Sequence, residues 1–250
     1  MMADFSPSGA VSIISEFLRD MLGEKDAIIA VSGGIDSAVV AGILQRSISA
    51  NRIHAYFLPD SVTPRSDYDD VKALSDKLGI EVRTIDITPA VDSFRNLLDI
   101  RDRALLGNVK SRVRMITVYH FSALFGGLVV GTTNRSEYMT GYFTKFGDGA
   151  CDLEPVLHLY KDEIRQIARY LELPVHIIEK KPSAGLWESQ TDEEEMGLTY
   201  GQLDSILRFY SSCKGGSINR EENGARVLEM IQRSDHKRHL PVSLLGREGI

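Results

Sequence analysis

Ala27-Ile28-Ile29-Ala30-Val31-Ser32-Gly33-Gly34-Ile35-Asp36-Ser37-Ala38-Val39-Val40 is the stretch on which the fold turns. Its first five residues are an unbroken apolar run, the pattern of a strand covered on both faces of a sheet. From Ile35 to Ser47, the residues Ala38, Val39, Ile43 and Leu44 make a broad apolar face, as a well-buried helix requires. The reading is strand, tight turn at Ser32 to Gly34, helix.

The pattern repeats on either side. Upstream, Val11, Ile14, Phe17, Leu18, Met21 and Leu22 recur at helical spacing and stop at Gly23. Downstream, Arg52 to Leu58 reads as a second strand ended by Pro59. Ser66 is placed to cap a helix lined by Tyr68, Val71, Leu74 and Leu78 and closed by Gly79. Glu81 to Ile87 reads as a third strand. A helix from Val109 to Phe125 carries Val109, Val113, Ile116 and His120 in one stripe, and Leu128 to Gly131 forms a fourth buried strand. Such alternation predicts right-handed crossovers and a doubly wound, mostly parallel α/β sheet flanked by helices, Rossmann-like in type.

Beyond Gly131 the pattern loosens. Gly141, Gly147 and Gly149 surround Asp148, and a helix resumes with Tyr160, Ile164, Ile167, Ala168 and Leu171. Lys180 to Gly197, with Gly185 and Trp187, reads as a mobile loop over a ligand. Its run Asp192-Glu193-Glu194-Glu195 reads as the acidic first turn of a helix near Leu198 to Tyr210, where the helix dipole favours acids, rather than as a metal cage. A second flexible stretch is expected at 213–224, before a helix around Ala225 to Arg233.

Composition sets outer limits. A chain of 250 residues with 43% hydrophobic and 26% charged residues fits one globular domain. The net charge of −6 argues against a general nucleic-acid surface, so anionic ligands must meet local groups of cations: Lys110, Arg112 and Arg114; Lys180 and Lys181; His236 to His239. Taken singly, each group reads as an ordinary solvated face. The longest apolar runs fall short of the roughly 18 residues that cross a bilayer, and no export signal opens the chain, so the expected location is the cytoplasm. Cys151 and Cys213 lie too far apart to suggest a disulfide framework or zinc site. His54, His120, His158 and His176 read as structural.

The strongest chemical signal is the turn itself. In a doubly wound sheet, ligands bind at the carboxyl ends of the strands, near the point where strand order reverses. Glycines allow close backbone approach, serines add donors, and free amides at a helix start favour an anion, so a pyrophosphate fits. The residues match neither G-x-x-x-x-G-K-[ST] nor G-x-G-x-x-G. Asp36 accounts for the difference: a carboxylate beside phosphates needs a cation between them, and magnesium binds through carboxylates plus phosphate oxygens. The plainer alternative is helix capping.

Ser32-Gly33-Gly34-Ile35-Asp36-Ser37 resembles the pyrophosphate loop of the N-type ATP pyrophosphatases, a superfamily with an adenine nucleotide alpha hydrolase-like fold. That loop alone leaves NAD synthetases, GMP synthetases, asparagine synthetases and tRNA thiolation enzymes open. Asn108 to Met115, Gly131 to Glu137, Gly141 to Gly149, Lys181 to Ala184, Gln190 to Glu193 and His236 to Arg238 resemble, in order, segments of the NAD synthetase family. The resemblance implies that Ser32, Gly33, Gly34, Ile35, Asp36, Ser37 and Ala38 hold ATP phosphates, with Thr132, Lys161 and Ser183 also on ATP. It implies Arg112, Lys145, Asp152, His236 and Lys237 on deamido-NAD (nicotinic acid adenine dinucleotide), and Asp36 and Glu137 on Mg2+. Asn108 and Arg112, one turn apart, share a helix face.

The implied reaction is ATP-dependent amidation of deamido-NAD to NAD through an acyl-adenylate, releasing AMP and pyrophosphate. Asp148, between two glycines, is the candidate to deprotonate ammonium, and Lys145 would neutralise charge. The length leaves no room for a glutaminase domain, so ammonia is expected free or from a separate ammonia-supplying protein. By resemblance the chain forms a homodimer. Two alternatives stand beside this reading. A tRNA thiolation enzyme would want paired cysteines and a basic surface. A non-catalytic ATP-binding sensor would have no use for Lys145, Asp148 or Glu137.

Overall fold

The computed structural model describes residues 5–187, 190–212 and 222–239. Strands β1 (Ala27–Ala30), β2 (Ile53–Phe57), β3 (Val82–Thr84) and β4 (Leu128–Val129) form one parallel sheet in the order β3-β2-β1-β4. The chain moves outward from β1 through β2 to β3, then returns to the far side of β1. Ala27 pairs with Ile53 on one side and Leu128 on the other. The reversal of strand order thus falls between β1 and β4, and their carboxyl ends open a crevice.

Successive β1 side chains serve opposite faces, as a pleated strand requires. Ala27 and Ile29 join the larger core under α1 (Pro7–Leu22), α2 (Ile35–Ser47) and α7 (Lys161–Tyr170), whereas Ile28 joins Tyr56, Val113 and Val118 beneath α5 (Arg103–Phe125). A third core joins α9 (Asp192–Met196), α10 (Tyr200–Ser212) and α11 (Gly224–Arg233) through Met196, Leu203, Leu207 and Val227. α2 is buried on nearly every side, from Ile35 to Ser47, in keeping with its place over the sheet. Among the described residues, no helix is long and apolar enough to cross a membrane.

Several expectations need correction. Ser66 does not cap α3 (Arg65–Leu78): the cap position is Pro64, and Ser66 lies inside the first turn. α5 starts six residues before Val109, because the Asp102 side chain accepts the Leu105 N–H at 2.9 Å. Ile116 faces out, at 55% exposure, and the buried side of α5 carries Lys110, Ser111, Val113 and Val118. The stripe was misassigned because polar residues of this helix face the crevice. Helices α4 (Thr88–Leu97), α6 (Arg135–Thr140) and α8 (Val175–Glu179) were not anticipated. The acidic run does not open the helix at 200. It forms the separate helix α9, which ends at Gly197 in the left-handed conformation, φ 69°. Most of the stretch 213–224 lies outside the described residues.

Candidate active site

The first wall of the crevice is the turn after β1. Gly33 has φ 79°, and a Cβ there would lie 3.2 Å from the Asp67 carbonyl oxygen, so glycine is demanded twice over. Ser37 Oγ donates to the Gly34 carbonyl at 3.1 Å, and Ser32 Oγ accepts the Gly34 N–H at 3.2 Å. No side chain caps α2 at Gly34. The capping alternative therefore fails for Asp36, and the amides that open α2 are left to an anion.

The opposite wall is Gly131 to Asn134, leading into α6. Here Asn134 and Glu137 form a reciprocal capping box, with Glu137 N–H to Asn134 Oδ1 at 3.0 Å and Asn134 N–H to Glu137 Oε2 at 3.3 Å. Asn134 Nδ2 also donates across the crevice to Asp36 Oδ1 at 2.9 Å. Between the walls lies Lys161, from the first turn of α7. Its Nζ is 2.6 Å from Asp36 Oδ2 and 2.9 Å from Glu137 Oε1. The dipole of α7 disfavours a cation at that end, and the two carboxylates offset this. Burial pushes the Glu137 carboxyl up, against the pull of Lys161, while Asp36 and Glu137 raise the Lys161 ammonium despite its burial. Tyr200 Oη donates to Asp192 Oδ2 at 3.0 Å, bringing a third acid near. Among the described residues, no three His, Cys, Asp or Glu side chains form a ready metal cage.

A cleft of about 670 Å³ opens over these groups and brings together Ser32, Gly34 to Ser37, Thr132, Glu137, Lys161, Ser183, Asp148 and Lys237. Asp148 accepts from Ser111 Oγ and, at 2.9 Å, from the Thr144 N–H. Lys237 Nζ donates to the Gly141 and Phe143 carbonyls, each at 2.7 Å. Lys145 instead lines a neighbouring cavity of about 260 Å³ with Phe143, Phe146, Glu154 and Lys237, and its Nζ donates to the His236 carbonyl. Arg112, Asp152 and His236 line neither space. Arg112 Nη2 donates to the Lys145 carbonyl at 3.2 Å, and Asp152 Oδ2 accepts the Val129 N–H at 2.7 Å. Gly33 and Ala38 likewise line neither space, and Ala38 is fully buried.

Three cations that the sequence reading placed in charged clusters tie parts of the fold together. Lys110 is buried, 2.9 Å from Asp60, and donates to the Leu186 carbonyl at 2.8 Å, so it ties α5 to the segment that carries Ser183. Lys180 pairs with Asp67 and Asp70 beneath the turn at Gly33. Arg238 donates to the Met139 carbonyl at the end of α6 and to the Ile231 carbonyl at the end of α11. The role of Asn134 was missed, although the Asn-x-x-Glu spacing of a capping box was there to read.

Sheet order, uncapped helix start and facing carboxylates together define the doubly wound α/β class, with a crevice of the kind that suits a phosphate. Residues 10–241 match the family model described as NAD synthase. An NH(3)-dependent NAD(+) synthetase of Thermoplasma acidophilum is 51% identical over 231 residues, covering 92% of this chain and 95% of that protein. The corresponding enzyme of Pyrococcus horikoshii is 43% identical over 92% of this chain and 91% of its own. Among solved structures, an NMN synthetase from Francisella tularensis matches with a TM-score of 0.87 at 34% identity, covering 97% of this chain and 100% of that one. An NH3-dependent NAD synthetase from Campylobacter jejuni matches with 0.82 at 27%, covering 96% and 100%. The chain belongs to the NAD synthase family.

Proposed function

We propose that this chain is a carbon–nitrogen ligase that amidates deamido-NAD with ammonia, using ATP and releasing AMP and pyrophosphate. The observation that carries the reading is the convergence of Asp36 and Glu137, from opposite walls of the crevice, beside the uncapped start of α2. The turn 32–37 and the α2 amides would seat the ATP phosphates, with Thr132, Lys161 and Ser183 along the same cleft. The substrate carboxylate then attacks the α-phosphorus, so no protein nucleophile is required. Ammonia displaces AMP from the resulting acyl-adenylate. Asp148, on the cleft wall, is positioned by Ser111 and Thr144 to take the proton from ammonium.

Asp36 and Glu137 would hold Mg2+, a hard cation that takes carboxylate and phosphate oxygens. When bound, the ion neutralises charge on the departing pyrophosphate. The chain's own part is to orient the two acids, through Asn134 and Lys161. Arg112, Lys145, Asp152, His236 and Lys237 would hold the dinucleotide. Residues 1–250 act as one synthetase domain in this reading, working in the cytoplasm on free ammonia or on ammonia from a separate protein. The exposed Leu97, Leu98, Leu105, Ile116 and Leu124 of α4 and α5 and their junction suit a homodimer face.

Stoichiometric release of AMP and pyrophosphate, requiring both ammonium and deamido-NAD, tests the assignment. The likeness to an NMN synthetase makes the corresponding mononucleotide the control substrate. Faster turnover of the mononucleotide would move the assignment to it, and ATP binding without turnover of either would sink it.

A further inference from the structure

The two acids proposed for the metal are already bridged by a cation of the chain's own. Lys161 is almost wholly out of solvent and reaches both carboxylates, with the face of Tyr200 4.8 Å from its Nζ. The oxygens that do not touch Lys161 are held from the other side, Asp36 Oδ1 by the Asn134 amide and Glu137 Oε2 by the Asn134 N–H. Lys161 thus sits as a fixed cation between the two carboxylates, with Asp192 a further acid held beside them through Tyr200.

A divalent ion entering between these acids would face a buried ammonium at close range. Displacing the ammonium first would strand it, and a buried charge without a partner is strongly disfavoured. A triphosphate changes both terms of the problem. Its charge gives Lys161 a new anionic partner, and its oxygens complete the shell that two carboxylates cannot supply.

We propose that Lys161 is an internal counter-ion that keeps the nucleotide-free site closed to divalent cations, so that the metal enters only with the nucleotide. The proposal rests on the metal reading of Asp36 and Glu137, and its test separates the two. Mn2+ is titrated calorimetrically into the full chain, with and without a non-hydrolysable ATP analogue, for the wild type, Lys161→Met and Lys161→Arg. Thermal melts establish folding, and Lys161→Gln replaces the methionine variant if that one does not fold.

The expected result is that Lys161→Met binds Mn2+ without nucleotide about tenfold or more tightly than the wild type. Lys161→Arg, which keeps the charge, stays weak, and the analogue tightens binding to the wild type by a similar factor. Wild-type binding without nucleotide as tight as that with the analogue overturns the proposal, whatever the variants do. No Mn2+ binding by any form, with the analogue bound, overturns the metal reading itself.

Discussion

Asn134 donates its side-chain N–H to Asp36 Oδ1 at 2.9 Å, and this one bond ties together the two walls of the crevice. The same side chain accepts the Glu137 N–H and so starts α6. Asn134 is fully buried, which leaves water no way to replace either partner. Asparagine suits the place because it carries donor and acceptor on one short arm.

Asn134→Asp keeps the cap but turns an oxygen toward Asp36. Removing a buried donor and adding a like charge is expected to cost about 1–3 kcal/mol. AMP release should fall by roughly two orders of magnitude, in line with the loss of a positioned electrostatic group. Asn134→Ser, which also caps, should lose less stability than the aspartate variant. Thermal melts and AMP assays measure both, and full activity in Asn134→Asp would show that the bond does not organise the site.

A second pair closes the far end of the cleft. Gly141 has φ 68°, and a Cβ built on it would lie 2.0 Å from Ser234 Cβ. The segment 234–239 rests on this glycine, with Lys237 donating to its carbonyl. Gly141→Ala is expected to destabilise by about 3 kcal/mol or more, from contact and backbone strain together. Ser234→Gly in the same chain should restore part of this, because it relieves the contact but not the φ penalty of about 1 kcal/mol. Denaturant unfolding of the single and double variants gives the coupling directly, and simple additivity would contradict the contact.

How far the sequence reached can be judged at these residues. The run from Ala27 to Val40 was legible because an apolar strand, a glycine turn and an apolar helix adjoin one another, and each follows from local pattern. Gly23 and Gly79 also marked helix ends for a local reason, since each adopts positive φ. Lys161 was named through the family resemblance, but its pairing with Asp36 and Glu137 resisted reading because they lie 125 and 24 residues away, and only the completed sheet brings them together. Lys110 looked like a surface cation for the same reason: Asp60 lies on another connection. The position of Ile116 was misread because α5 buries polar groups toward the crevice, so hydrophobic spacing no longer marked the inward face.

Glu154 gives the structure a pH signature. Burial pushes its carboxyl up from 4.5 to about 7, and the Thr133 N–H, donating to Oε2 at 3.2 Å, only partly opposes this. Cys151 and Asp148 are the titratable neighbours, and Asp148 pushes in the same direction. A folded-state pKa raised above the unfolded one means that the native state holds the proton more tightly. This contribution to stability is complete below about 4.5 and is lost as pH rises through about 7. Glu154→Gln keeps an acceptor for Thr133 and removes the charge. Relative to wild type it should gain roughly 1–3 kcal/mol between pH 5 and pH 8 and then level off. Urea midpoints across that range test the sign, and a difference that does not change with pH would contradict it.

Lys110 and Asp60 form the most enclosed ion pair described, 2.9 Å apart with side chains 5% and 1% exposed. Arg114 lies 3.7 Å from the same carboxylate, so Asp60 is not wholly abandoned if the lysine is lost. Lys110→Met is therefore expected to cost about 3 kcal/mol, near the lower end for orphaning a buried charge. Asp60→Asn in the same chain removes that charge while keeping an acceptor for the Val62 N–H, so the double variant should be more stable than Lys110→Met alone. Stability and site then part company. Either variant lacks the bond from Lys110 to the Leu186 carbonyl, three residues beyond Ser183, so the KM for ATP should remain raised in the double variant even where its melting temperature recovers. A KM that returns to the wild-type value along with stability would show that the lysine only supports the fold.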